Sequence, residues 1–240
     1  MQSKEKMAKD FALTFDIDWA PDYTIFKCLD IIEDAGYKST FFATHRTPAN
    51  NEIVARGHYL GIYPNFLSSS SQGAVVKEII SECFNFAPDA WCMRTHALVQ
   101  SSPLLHEIFA NYPQLKLDVS LFMHLSPFEH KVRWEWEEVS FDRLLYNLAD
   151  YAHFPAYNED IMPNMFFGKL TAFDFYPIHV FLNSTDGREY RKLKKEQSSS
   201  PLFAIDYEIA KKYIHKSRGT QSHLRQVLSS DNNCVSLDEI

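Results

Sequence analysis

Along the chain, short apolar runs alternate with stretches in which apolar residues recur every three or four positions. "FALTFDI" (11–17) reads as a buried strand that ends in charge. "DYTIFKCLDIIEDAGY" (22–37) sets Ile25, Phe26, Leu29, Ile32 and Ala35 on one helical stripe, stopped by Gly36. "KSTFFATH" is a second short run of β-formers, and a helix over Asn50–Arg56 leads through Gly57 into the strand-like "HYLGIYPN". "AVVKEIISECFNF" has helical spacing at Val75, Val76, Ile79, Ile80 and Cys83, followed by Pro88 and a short strand in "AWCMR". "SPLLHEIFANY" is predicted as a helix with Ser102 as its N-cap and Pro103 at its first position. "LKLDVSLF" and "TAFDFYPIHVFLN" are predicted strands; "DYEIAKKYIHKS" and "TQSHLRQVL" are predicted surface helices. The repeated strand-then-helix order predicts an α/β fold of parallel strands joined by right-handed crossovers, either open as a layer or closed as a barrel.

In both arrangements the chemistry gathers at the C-terminal ends of the strands. Asp16 and Asp18 stand there, and on a continuing strand residues two apart share a face, so both carboxylates point into one site. Two such charges raise one another's pKa unless a metal ion or an arginine neutralises them. The competing reading makes them solvated turn acids, with Asp22 capping the next helix.

The 240 residues, 45% of them hydrophobic, suffice for one domain spanning 1–240 with a large core. A formal charge of −7 argues against a nucleic-acid or anionic-membrane partner, since each needs a basic face. "REYRKLKK" (188–195) reads as a solvated loop or helix face. No apolar run approaches the roughly 20 residues that span a bilayer. Cys28, Cys83, Cys92 and Cys234 form no CxxC pair and the N-terminus does not resemble a signal peptide, so the expectation is a cytoplasmic protein with reduced thiols. The oligomeric state stays open.

"LTFDIDWAPD", followed by a helix and "GYKSTFFAT", resembles the first motif of the polysaccharide deacetylase family, carbohydrate esterase family 4. "ARGHYLGIYPNF" is similar to its second motif, "WCMRTHAL" to its third and "DFYPIHVFLNS" to its last, in the family's order over residues 11–184. The resemblance implies an irregular (β/α) barrel with fewer than eight strands, and removal of acetyl groups from N-acetylated sugars with a divalent metal, usually zinc. It maps the catalytic base onto Asp16, a metal ligand onto Asp18, the arginine that orients the base onto Arg94 and the general acid onto His179. Many relatives have the two acids adjacent, and the intervening Ile17 leaves their two roles open. Tyr63, Asn65, Trp19 and Asp160 are the candidate substrate contacts, and Asp174 is a candidate support for the site.

The second motif departs from the family. Tyr63 and Leu67 stand where two metal-binding histidines belong, and neither replaces an imidazole as a ligand. "GIYPNF" resembles the "GLHPNF" of a subgroup linked to bacterial surface-polysaccharide synthesis, as do "RTHALVQSS" and "FPAYNED". His96, two residues beyond Arg94, is the second candidate metal ligand; a rescued site would join Asp18 and His96 to Glu159 or Asp160. His58 reads as structural. Trp134 and Trp136 in "VRWEWEEV" share a face if extended, either as a sugar platform or as packing.

Three functions are consistent with these residues. The first is a hydrolase of an N-acetyl group on an amino sugar or sugar conjugate in cell-surface glycan (lipopolysaccharide) synthesis. The second is an inactive descendant that binds a sugar or a partner, and the third is a hydrolase of a non-sugar C–N bond.

Overall fold

The computed structural model describes residues 8–126, 131–153, 166 and 169–240. Its first strand, β1 (Asp10–Asp16), shows why the fold forms. Phe11, Leu13 and Phe15 face the helices, while Ala12 belongs to a second cluster on the opposite face together with Phe42, Tyr63, Cys92, Val119, Tyr146 and Ala172. Burial on both faces is what a parallel strand beneath crossover helices requires.

The chain continues through α1 (Asp22–Asp34), β2 (Thr40–Ala43), α2 (Pro48–Ala55), β3 (Tyr59–Ile62), α3 (Val76–Phe86), β4 (Cys92–Met93), α4 (Ser102–Asn111) and β5 (Leu117–Phe122). A hairpin follows, β6 (Lys131–Trp136) and β7 (Val139–Tyr146), then β8 (Leu148–Ala149), α5 (Asp150–His153) and β9 (Leu170–Phe175). The remainder comprises α6 (Pro177–Leu182), α7 (Arg188–Glu196), α8 (Tyr207–Ala210), α9 (Thr220–Leu228) and β10 (Asn233–Cys234).

The strands are ordered β6-β7-β5-β4-β3-β2-β1-β9-β8, with β10 beside the start of β1. Every pairing is parallel except β6 with β7. Only Asn147 separates β7 from β8, so one stretch of chain pairs first with β5 and then with β9. The Asn147 amide N–H donates to Ala172 O at 3.0 Å and its side-chain amide donates to Ser126 O at 2.8 Å. That handover draws the two ends of the sheet together without a continuous ladder, which is the irregular barrel the family resemblance implies.

Small residues inside the ring make room for large ones. A Cβ on Gly61 would lie 2.8 Å from ring atoms of Phe42 and 2.9 Å from Cys92 Sγ, so the glycine lets both fill the interior. Gly36, at φ +78°, ends α1 in the left-handed conformation that a side chain disfavours.

Several expectations are corrected. "TAFDFYPIHVFLN" is not one strand: β9 ends at Phe175, and Pro177 opens α6, on which His179 lies. All six residues of α6 are buried, which erased the helical stripe and left a β-like apolar run. The cap of α4 is Ser101, not Ser102; its hydroxyl accepts from Leu104 N at 3.3 Å. Asp22 does not cap α1, whose N-cap is Pro21, and it accepts instead from the Thr47 hydroxyl. The β6–β7 hairpin was not anticipated, because β6 is exposed and lacks an apolar run. "TQSHLRQVL" forms α9, half-sunk through His223, Leu224 and Val227 rather than lying on the surface. "DYEIAKKYIHKS" breaks after α8 into a single turn at Lys211–Tyr213. The basic run is the solvated helix α7, burying only Leu193. The four cysteines are free thiols, and among the described residues no helix is long and apolar enough to cross a membrane.

Candidate active site

At the C-terminal mouth of the ring the inward alternation of β1 and β9 brings Thr14, Asp16 and Asp174 together. Arg94, immediately after β4, enters this layer and is fully buried. Its Nη1 donates to Asp16 Oδ1 at 2.7 Å and to Asp174 Oδ1 at 2.5 Å, its Nη2 to Thr14 Oγ1 at 2.9 Å, and its Nε to Val119 O at 2.9 Å. Phe42 and Tyr146 sandwich the guanidinium, with ring centres 4.7 and 4.2 Å from Cζ. Such stacking suits the planar, weakly hydrated cation of arginine and would not suit lysine.

One guanidinium therefore serves two buried carboxylates. Burial pushes the Asp16 carboxyl up, against the pull of Arg94 and of a hydrogen bond from Tyr63. Asp174 is pushed well above the carboxylate range by burial, with the Asp16 charge adding to the effect. Its Oδ2 is buried without a hydrogen-bond partner. The cheapest charge state is one carboxylate paired with Arg94 and one proton on the other acid. Arg94 itself loses stability of its charge to burial, but Asp16 and Asp174 outweigh that and hold it well above its ordinary value. Asp150, which follows Ala149 at the end of β8, has its carboxyl also pushed well up by burial and accepts from Tyr176 N at 2.8 Å.

Asp18 reaches the site by a different route from the one expected. β1 ends at Asp16, and Asp18 and Trp19 adopt φ +45° and +56°, so a left-handed turn and not strand alternation aims the second acid. The Trp19 amide donates to Thr44 Oγ1 at 3.0 Å, which holds the turn. Asp18 Oδ1 lies 3.3 Å from His96 Nδ1; the two lack hydrogen-bond alignment, and each is buried without a partner. The His96 ring meets Trp19 and Tyr63 edge-on, at 5.2 and 5.3 Å. Ala97 and Leu98, at φ +53° and +54°, are the strained residues that turn the chain after it.

The donor chemistry fits a divalent ion in part. Two ligands about 2.0–2.2 Å from one tetrahedral ion stand about 3.4 Å apart, close to the Asp18–His96 separation. Among the described residues no group of three or more histidine, cysteine, aspartate or glutamate side chains is placed to hold a metal. Glu159 and Asp160, the remaining candidates, lie outside the described residues.

The other expected residues fall as follows. Tyr63 is buried, its hydroxyl within hydrogen-bonding reach of both Asp16 and Tyr176. Leu67 is 44% exposed. Asn65 is buried, but its Oδ1 accepts from Leu67 N at 3.0 Å and so shapes the loop. His179 contacts Ser184 Oγ through Nδ1 at 3.1 Å and meets Tyr190 edge-on at 4.9 Å. Burial draws its pKa down to about 4, with Asp18 opposing, so the imidazole is neutral at pH 7 instead of poised to give a proton. The charge of Asp18 acts on Asp16, Tyr63, Tyr176, His179 and Tyr190, which puts all of them around one mouth. His58 bonds Ser39 and Glu33 well away from it, as a structural histidine does.

Sequence reasoning missed two supports. Gln72 accepts from Asn65 N at 2.6 Å and donates to Thr44 O at 2.8 Å and Tyr63 O at 3.1 Å, tying the second-motif loop to the first. Asp118 pairs with Arg143 at 2.8 Å and accepts from the Ser120 hydroxyl, which in turn accepts from Thr95 N at 2.9 Å and so fixes the segment bearing Arg94 and His96. A charge inside "LKLDVSLF" was the available signal for Asp118; a loop glutamine offers none.

A parallel ring of strands with buried acids around an arginine at its C-terminal mouth defines a protein of the polysaccharide deacetylase class. The family model for WbmS-like polysaccharide deacetylases matches residues 13–194, and the chain belongs to that family. The crystal structure of a polysaccharide deacetylase involved in O-antigen biosynthesis, WbmS of Bordetella bronchiseptica, superposes with a TM-score of 0.74 at 28% identity, over 92% of this chain and 89% of that one. The Bc1960 peptidoglycan N-acetylglucosamine deacetylase matches at 13% identity over 96% of this chain and 86% of that one, with a TM-score of 0.50. BA3943 of Bacillus anthracis, a CE4 family pseudoenzyme, matches at 10% identity over 97% and 65%, also with a TM-score of 0.50. The last two share the fold alone. No curated protein sequence matches the chain.

Proposed function

We propose that this chain is a hydrolase that removes the acetyl group from the nitrogen of an amino sugar or sugar conjugate during cell-surface glycan synthesis, within one domain. The observation that carries the reading is the single Arg94 guanidinium shared by Asp16 and Asp174 beside the unpartnered Asp18–His96 pair. An amide carbonyl is a poor electrophile, so its hydrolysis needs a base for the attacking water and a proton for the departing nitrogen. Asp16, paired with Arg94, is the base; Asp174 keeps the resident proton and so leaves Asp16 ionised. His179, neutral at pH 7, accepts a hydrogen bond at the departing nitrogen, which takes the proton that Asp16 removed from water. Asp18 and His96 are the residues to hold a divalent ion, which when bound supplies polarisation of the carbonyl. Trp19 and Tyr63 border the sugar, with Asn65 shaping the loop beneath it and Asp160 as the remaining contact.

One observation favours a second reading. Tyr63 stands where a metal histidine is expected, and its buried phenol acts on Asp16, drawing the pKa of that carboxyl down. That arrangement suits an inactive descendant that binds a sugar without turnover. Acetate release from N-acetylated amino-sugar conjugates, measured with added zinc, nickel, manganese or iron for wild type and Asp16→Asn, separates the two. Release by wild type that Asp16→Asn abolishes supports hydrolysis. Sugar binding by calorimetry with no acetate under any metal establishes the second reading.

A further inference from the structure

The tryptophan-bearing stretch that the site does not use forms β6, the last strand at one end of the sheet. Its neighbour is β7, and among the described residues no strand pairs with its outer edge. An open edge of N–H and C=O groups is a template for another strand unless charge or a bulge guards it. Which groups β6 offers follows from its turn. The hairpin closes through two residues, Glu137 and Glu138, with Glu137 at φ +53° and Trp136 opposite Val139. In a two-residue hairpin the flanking pair exchanges both hydrogen bonds, and bonded and unbonded pairs then alternate. Val132, Trp134 and Trp136 therefore bond to β7, while the backbone groups of Lys131, Arg133 and Glu135 point outward.

A second copy approaching antiparallel across a two-fold axis must set outward-pointing residues opposite one another, which allows few registers. Centring the axis on Arg133 sets arginine against arginine, and centring it on Glu135 sets glutamate against glutamate. Centring it on Trp134 puts Arg133 opposite the partner's Glu135 and Lys131 opposite the partner's Glu137, each twice by symmetry. On the other face the same register puts Val132 opposite the partner's Trp136 and Trp134 opposite the partner's Trp134. Val132 and Trp136 are 53% and 41% exposed and are two of the larger apolar groups on the surface. The outward-facing charges are positive at one end, Lys131 and Arg133, and negative at the other, Glu135 and Glu137, so the edge complements itself under rotation.

We propose that β6 is a dimerisation edge, pairing antiparallel with β6 of a second copy of this chain about an axis at Trp134. The strand is short and the contact small, so the dimer is weak, with a dissociation constant of roughly 10–100 μM. Sedimentation equilibrium across that range tests it, with circular dichroism to confirm folding of each variant. Arg133→Glu and Glu135→Arg should each weaken the dimer at least tenfold, and the double reversal should restore it to near the wild-type constant. Glu135 is 73% exposed, so Glu135→Arg carries the test if Arg133→Glu, which loses its bond to Asp142, folds poorly. The amides of Arg133 and Glu135 should also gain hydrogen-exchange protection as concentration rises. A wild type that stays monomeric through the range, a dimer indifferent to Glu135→Arg, or a double reversal that does not restore pairing overturns the proposal.

Discussion

Replacing Arg94 with methionine removes the one cation from the buried layer. The guanidinium lies 2.7 Å from Asp16 and 2.5 Å from Asp174, and none of the three side chains is more than 1% exposed. Taking one partner from a buried ion pair costs about 3–5 kcal/mol, because the remaining charge is left unpaired in a poor solvent. One charge remains here, on Asp16, because Asp174 holds its proton, so Arg94→Met should fall within that range. Asp174→Asn replaces the acid that burial holds protonated with a neutral group of the same shape, and should cost about 1 kcal/mol or less. Combined with Arg94→Met it should change the cost by less than about 1 kcal/mol, since Asp174 already carries its proton and no further charge is removed. Urea denaturation of the four proteins at pH 7 gives these differences. Titration adds a sign. Asp174 binds its proton more tightly folded than unfolded, so its contribution is full below the ordinary value of 3.8 and is lost as pH rises through the raised one. Asp174→Asn should remove that decline. An Arg94→Met protein within about 1 kcal/mol of wild type, or an Asp174→Asn as damaging as Arg94→Met, would refute the shared-proton account.

Other expectations follow from single residues. His179 titrates near 4 folded and 6.5 unfolded, so its contribution of about 3 kcal/mol is present above pH 6.5 and is lost as pH falls through 4; His179→Asn should flatten denaturation midpoints across that window, and an unchanged slope counts against a buried neutral imidazole. Tyr63→His places an imidazole beside His96 and Asp18, and should raise zinc affinity in a chelator competition that Asp18→Ala abolishes; no gain means the pocket has been rebuilt around the phenol. Gly61→Ala drives a methyl to within 2.8 Å of the Phe42 ring and should cost about 1–3 kcal/mol by thermal melt, where an unshifted midpoint would show the interior is looser than described.

The order of strands and helices was legible because parallel strands such as β1, β2 and β9 are buried on both faces and crossover helices show a stripe, as α1 does with Ile25, Leu29 and Ile32. Position at the mouth was legible for Asp16 and Arg94, since both follow apolar strand residues in β1 and β4. What failed were the elements whose neighbours override local pattern. Burial of α6 on all sides hid its period, and β6 has no buried run because β7 covers only one edge. Asp18 was expected at the mouth for the wrong reason: spacing put it on the strand's inner face, whereas the left-handed turn at Asp18–Trp19 delivers it. Of the candidate metal donors, only the approach of Asp18 to His96 was legible, because sequence distance says nothing about which loop closes over a barrel.

The handover at Asn147 has a bearing on how the barrel comes apart. β8 contributes two residue pairs, Leu148 with Phe173 and Ala149 with Asp174, so the shortest ladder beside β9 borders the very acid that shares Arg94 with Asp16. Where β1 grips β9 through six pairs, β8 can be peeled away by breaking a few bonds. Warming should therefore open the β8–β9 seam early, and a protein that has lost it will have lost the wall beside Asp174 before its helices melt.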